Sequence, residues 1–183
     1  ARAIGAIARP ATLSWSPDGS KIAFDGNAAD DWEMNFFTSN IYTVNVQSKV
    51  LTALTEGNGT WTNPTFSKDG EKVAYSGVAA WDRTAPFPDL WVMDADGDNK
   101  KAIATDLADR PNNLIWAKGG RGVYFTMSKH GSVNSYHASM KGALKEITKG
   151  MHVLRVSNIS ENGVAVGTLG SYTNPGEVVR FNI

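Results

Sequence analysis

The sequence predicts an all-β chain, a β-propeller of about four blades with four antiparallel strands each, forming part of a larger propeller. Three observations predict it. The first is a turn phrase, Trp15-Ser16-Pro17-Asp18-Gly19, followed by Ile22-Ala23-Phe24. It returns as Phe66-Ser67-Lys68-Asp69-Gly70 with Val73-Ala74-Tyr75, and as Trp116-Ala117-Lys118-Gly119-Gly120 with Val123-Tyr124-Phe125. A fainter copy is Ile159-Ser160-Glu161-Asn162-Gly163 with Val164-Ala165-Val166, and the four copies start 51, 50 and 43 residues apart. The second is a mark that keeps step with the phrase: Tyr42, Trp91, Tyr136 and Val179 are separated by 49, 45 and 43 residues. The third is the content of each repeat, short apolar runs divided by turn residues, which is the layout of a propeller blade.

Each phrase reads as one β-hairpin. The apolar residue ends a strand and Ser opens a turn. Pro17 presets φ at the second turn position, Asp18 tolerates the third, and Gly19 supplies a positive φ. The result expected is a type I turn closing through glycine, a three-residue hairpin loop.

In chain order, residues 3–8 form an outer strand around Ile4. Blade one covers residues 11–55, with strands at 11–16, 21–25, 41–46 and 50–55. A long loop, 26–40, joins its second and third strands. Blade two covers 61–105, with a loop at 77–88 in the same place and the turn Asp94-Ala95-Asp96-Gly97-Asp98 before its last strand. Blade three covers 112–149, using 114–116, 122–126, 133–138 and 144–148. Blade four covers 152–183 and has three strands, 153–159, 164–168 and 177–182. The strand near Ile4 either completes blade four and closes a four-bladed ring, or belongs to a blade before the first. In the second case an open apolar face favours self-association. Trp15, Phe66 and Trp116 hold the same place in three repeats, so they are expected between blades.

Composition narrows the function. The 183 residues carry 18 basic and 18 acidic side chains, which gives no electrostatic case for nucleic acid or an anionic membrane. No apolar run approaches the roughly 18 residues of a spanning helix. The opening ARAIGAIARP has no apolar core of the signal-peptide kind. Absence of cysteine removes disulfides and thiolate chemistry and leaves cytoplasmic, periplasmic and secreted locations open. His130, His137 and His152 lack metal-ligand spacing. Asp94, Asp96 and Asp98 alternate, but Gly97 and Thr105 fall where a calcium loop needs other residues, so the run reads as a turn. Neither a metal nor a cofactor is expected.

The Ser-Pro-Asp-Gly hairpins and Asp89-Leu90-Trp91-Val92-Met93-Asp94-Ala95-Asp96-Gly97 resemble the repeats of TolB-like propellers. The stretch from Trp116 through Val123-Tyr124-Phe125, Gly131-Ser132, Gly142 and Ile147-Thr148 is similar to the late blades of acylaminoacyl-peptidase-type members of the prolyl oligopeptidase family. Thr173-Asn174-Pro175-Gly176-Glu177-Val178 looks like that family's last-blade phrase. The resemblance implies a propeller that docks on an α/β-hydrolase catalytic domain and restricts access to short peptides. That domain carries a Gly-x-Ser-x-Gly nucleophile elbow, and no such pentapeptide occurs here, so no catalytic activity is expected of this chain alone. Two other readings stay open: a free-standing TolB-like protein-interaction module, and a small four-bladed propeller with a site of its own.

The candidate docking or substrate-gating surface comes from the two long loops. Trp32 and Glu33 lie in the first, Trp81, Asp82 and Arg83 in the second. Both loops join a second to a third strand, so they emerge on one face, and Trp and Arg are common contact anchors. The plainer reading packs these aromatics onto their own blades. Asp31-Trp32-Glu33 resembles the segment by which dipeptidyl peptidases grip a substrate amino terminus. It has one Glu where that segment has two or more, so the role is not carried over. Partners implied are the hydrolase domain or another protein, a peptide substrate in the full enzyme, and a second copy of the chain.

Overall fold

The Ser-x-Asp-Gly phrase folds as a closed set of hydrogen bonds that fixes each hairpin. The structure, a computed structural model, describes residues 12–29, 32–35, 37–79 and 88–183. β1 (Leu13–Trp15) and β2 (Lys21–Gly26) pair with Trp15 opposite Ile22. Between them Gly19, at φ 70°, donates its N–H to the Ser16 carbonyl at 2.9 Å. The Lys21 N–H goes instead to Ser16 Oγ, at 2.8 Å. That hydroxyl donates to Asp18 Oδ1 at 2.6 Å, which also accepts the Ser20 N–H at 3.0 Å.

The second copy repeats this arrangement with Ser67, Asp69, Glu71 and Lys72. The loop therefore holds four residues, 17–20, one more than the sequence suggested. The fourth copy has the expected three-residue loop. There Ser160 exchanges bonds with Val164 through its N–H and its Oγ.

Four strands per repeat follow. β1 and β2 continue into β3 (Asn40–Asn45) and β4 (Leu51–Ala53) as one antiparallel sheet. β5 (Thr60–Phe66), β6 (Lys72–Val78), β7 (Asp89–Asp94) and β8 (Lys101–Ala104) form the next. The third group is β9 (Asn112–Trp116), β10 (Gly122–Lys129), β11 (Ser132–Ser139) and β12 (Leu144–Glu146). The fourth is β13 (Val153–Ile159), β14 (Val164–Gly170) and β15 (Glu177–Asn182).

Two features differ from the expected separate blades. β10 and β11 are longer than predicted, because His130 and Gly131 sit at φ 51° and 78° and close a two-residue turn of the primed kind. The third and fourth groups also share a sheet through one parallel pair, Val133 with Val153, where the Val133 N–H donates to the His152 carbonyl at 2.8 Å. Blades one and two are joined in the same way at Ser39 and Thr60.

The core lies between blades rather than inside them. Ala23 and Ile41 of the first sheet pack with Phe66, Val73, Tyr75 and Met93 of the second. Ala74, Leu90, Val92 and Ile103 on the far side of the second meet Trp116, Val123, Phe125 and Tyr136 of the third. Leu154, Val156, Ile159 and Ala165 of the fourth take Ile115 and Tyr124 from the third. Each blade thus has a first face turned to the blade before it and a second face turned to the blade after it. β6, between two blades, shows the consequence: Val73, Ala74, Tyr75, Ser76, Gly77 and Val78 are all buried, so one-sided alternation is absent.

One expectation fails. Phe66 and Trp116 are 8% and 5% exposed, but Trp15 at the same phase is 59% exposed. Blade one covers Phe66 and blade two covers Trp116, whereas no described strand lies over Trp15. Leu13 beside it is exposed too, as are Val166 and Val178 on the second face of blade four. The described blades form an open arc. The strand expected at residues 3–8 lies outside the described residues.

Candidate docking and gating face

Strand direction divides the connections between two rims. The Ser-x-Asp-Gly hairpins and the turns between third and fourth strands lie on one rim. The connections from second to third strands, and from one blade to the next, lie on the other, called here the loop rim.

On the loop rim the β2–β3 connection is held by its own polar groups. Asn27 is buried; its Nδ2 donates to the Asn35 carbonyl at 3.0 Å and its Oδ1 accepts the Ala29 N–H at 3.0 Å. The Trp32 N–H closes a turn on the Ala29 carbonyl at 3.2 Å. Thr60 Oγ1 ties the Phe37 carbonyl to blade two at 2.5 Å. This frame leaves Glu33 exposed, Trp32 half-buried, and Met34, which the sequence reading passed over, 83% exposed. Trp81, Asp82 and Arg83 lie outside the described residues, so the structure brings together only Trp32 and Glu33 of the five candidates.

A cavity of about 380 Å³ opens further along the same rim, between blades three and four. Met151, His152, Val153, Tyr172 and Pro175 line it. Met151 and Tyr172 are exposed, and His152 Nε2 is buried without a hydrogen-bond partner. Met151 and Tyr172 were not singled out from sequence. Their signal was the position of residues 171–176, a turn-rich second-to-third strand connection like the two long loops.

Charged groups away from this rim are tied into structure. Asp94 accepts Lys72 Nζ at 2.7 Å and Asn99 Nδ2 at 2.6 Å, bonds that lower its pKa, Asn99's first. Hydrogen bonds from Ser16 and Ser20 pull Asp18 from 3.8 down to about 2, and Asp69 is lowered by Ser67 in the same way. Asp25 is buried between blades one and two, where loss of water raises its pKa although it accepts the Thr12 N–H at 3.1 Å. His137, tilted by 46° against Tyr124 with ring centroids 4.6 Å apart, has its pKa lowered by burial and then by Lys145. Among the described residues no group of three or more His, Asp or Glu side chains is placed to hold a metal ion. No described helix is long and apolar enough to cross a membrane.

No family model matches the chain. Curated relatives do. Dipeptidyl-peptidase 5 of Porphyromonas gingivalis is 27% identical over 173 residues, 93% of this chain and 25% of that protein. The uncharacterized peptidase YuxL of Bacillus subtilis is 25% identical over 125 residues, 68% of this chain and 18% of that protein. Among solved structures, TolB from Acinetobacter baumannii superposes with a TM-score of 0.73 at 18% identity, covering 96% of this chain and 41% of that one. Porphyromonas gingivalis dipeptidyl peptidase 4 does so with a TM-score of 0.62 at 16% identity, covering 93% and 29%. The chain has the fold of a TolB-like propeller and is similar in sequence to part of dipeptidyl-peptidase 5.

This propeller segment spans a quarter or less of the length of the curated relatives it matches. Its loop rim carries exposed Met34 beside half-buried Trp32 at one end and exposed Met151 and Tyr172 at the other.

Proposed function

We propose that the chain is the non-catalytic propeller portion of an acylaminoacyl-peptidase-type serine peptidase. In this reading the loop rim docks on an α/β-hydrolase domain and limits entry to short peptides. The observation that carries it is the 27% identity to a dipeptidyl-peptidase over nearly the whole chain. Exposed Glu33 and Met34 beside half-buried Trp32 support docking on this rim, and the sequence adds Trp81, Asp82 and Arg83 as candidates from the second loop. The test mixes the purified chain with a prolyl-oligopeptidase-type hydrolase domain in a calorimeter. Binding is expected, and Trp32→Ala should weaken it by about tenfold or more, as loss of an aromatic anchor does. The chain alone should not cleave acyl-peptide substrates. Cleavage by the chain alone, or absence of binding, would overturn the proposal.

A second reading, a free-standing TolB-like interaction module, draws support from the higher TM-score with TolB. It expects capture of other proteins by the same rim but no affinity for a hydrolase domain.

A further inference from the structure

Two Asn-Gly pairs occur in the chain, Asn58-Gly59 and Asn162-Gly163. In such a pair the glycine has no side chain to shield its amide nitrogen, which can then reach the carbonyl carbon of the asparagine side chain. The two pairs stand in opposite settings. Gly163, at φ 75°, donates its N–H to the Ser160 carbonyl at 3.1 Å, inside the turn that closes the β13–β14 hairpin. Asn58 is exposed in the connection from β4 to β5. Neither its side chain nor the Gly59 N–H makes a hydrogen bond among the described residues. Packing also fixes the glycine: a methyl group on Gly59 would stand 2.5 Å from Trp61 Nε1 and 2.7 Å from the Val78 carbonyl oxygen.

The surroundings of Asn58 give its chemistry a consequence. On one side the Gly57 carbonyl accepts Asn40 Nδ2 at 3.4 Å; on the other the Gly59 carbonyl accepts the Ser39 N–H at 3.1 Å. The Trp61 N–H donates to the Ser39 carbonyl at 2.9 Å, and Ser39 Oγ to the Trp61 carbonyl at 2.7 Å. Asn58 is thus the unattached span between two anchors of the joint that ties blade one to blade two on the loop rim.

We propose that Asn58 is a site of spontaneous deamidation, and that its isoaspartyl product loosens this joint. The Gly59 amide nitrogen gives its proton to solvent base and attacks Asn58 Cγ. The N–Cγ bond forms, the Cγ–Nδ2 bond breaks, and Nδ2 takes up a proton from water and leaves as ammonia. Water then opens the cyclic imide. Attack at Cγ restores the ordinary main chain and leaves aspartate. Attack at the Asn58 main-chain carbonyl carbon breaks its bond to Gly59 and leaves isoaspartate, whose main chain runs through Cβ and Cγ. Either product adds a carboxylate to the loop rim, and isoaspartate also lengthens the chain between the Gly57 and Gly59 anchors. The inference does not depend on what docks on that rim.

The test ages the purified chain at mildly alkaline pH. Peptide mapping by mass spectrometry with electron-transfer fragmentation separates aspartate from isoaspartate. In the folded chain Asn58 should react faster than Asn162 by about fivefold or more, the factor set by first breaking one ordinary hydrogen bond. In urea the two should react alike. In the isoaspartyl chain the Ser39 and Trp61 amides should exchange hydrogen faster by about fivefold or more, while Val133, at the other parallel joint, stays unchanged. Asn58→Gln, whose longer side chain closes the ring far more slowly, should keep both amides protected through the same incubation. Asn58 staying intact, Asn162 reacting as fast in the folded chain, or a preference for Asn58 that persists in urea would overturn the site. Unchanged exchange at Ser39 and Trp61 in the isoaspartyl chain would overturn its effect on the joint.

Discussion

The pair Trp15 and Trp116 gives a sharp test of the inter-blade core, because the same side chain occupies the same repeat position in two environments. Truncation to alanine is the perturbation. Tryptophan buries up to about 250 Å² on folding, and apolar burial stabilises by about 25 cal/mol per Å². Trp116, 5% exposed, therefore contributes about 6 kcal/mol at most, and Trp15, 59% exposed, about 2.5 kcal/mol at most. Trp116 also supplies the hydrogen bond to the Thr65 carbonyl, a further contribution of about 1 kcal/mol. Relaxation around the cavity reduces both figures, so Trp116→Ala should cost about 3–4 kcal/mol more than Trp15→Ala. Urea denaturation followed by circular dichroism, at dilution low enough for the chain to be monomeric, measures the difference. Equal losses within about 1 kcal/mol, the size of a typical surface effect, would refute the assignment of the core to the joints between blades.

Three further outcomes follow from particular contacts. Asp18 has its pKa lowered from 3.8 to about 2, so its contribution is present above its unfolded value and lost as pH falls through about 2. Ser16→Ala should move the Asp18 titration midpoint, followed by carbon NMR of the carboxyl, back toward 3.8. Asp25 is raised by burial, so its ionised form is disfavoured in the folded state and its contribution diminishes as pH rises through 3.8; the same NMR titration should place its midpoint above that value. A methyl group on Gly77 would stand 2.2 Å from the Thr60 carbonyl oxygen and 2.6 Å from Trp61 Cε3, so Gly77→Ala should destabilise by about 2 kcal/mol or more in a urea titration.

The repeat was legible because turn chemistry is local. Ser16, Asp18 and Gly19 must satisfy one another within a few residues, and their pattern marks every hairpin that uses them. The fourth residue of the first two loops was not legible. The serine hydroxyl does not set it, since Ala117 closes a loop of the same length on the Gly122 carbonyl and Ser160 closes a shorter one; the pairing register is chosen in three dimensions. The His130-Gly131 turn escaped notice because positive φ at histidine has no strong sequence signal. Trp15 was misread for another reason: its side chain matches Phe66 and Trp116, while its exposure depends on what lies across the joint. In the candidate surface, Trp32 and Glu33 were found from loop length and composition. Met151 and Tyr172 were missed because their cavity exists only where two blades meet.

The parallel pairs Ser39–Thr60 and Val133–Val153 have a mechanical consequence. Among the described residues, main-chain bonds between neighbouring sheets occur on the loop rim, at Ser39, Trp61 and Val133. Toward the opposite edge the sheets are held mainly by side chains. Strain on the arc should splay it as pages part from a bound spine, with the serine-rich corners moving apart while the stitched margin keeps its spacing. A partner gripping the stitched margin would meet a surface of nearly constant shape, whatever the width of the gap behind it.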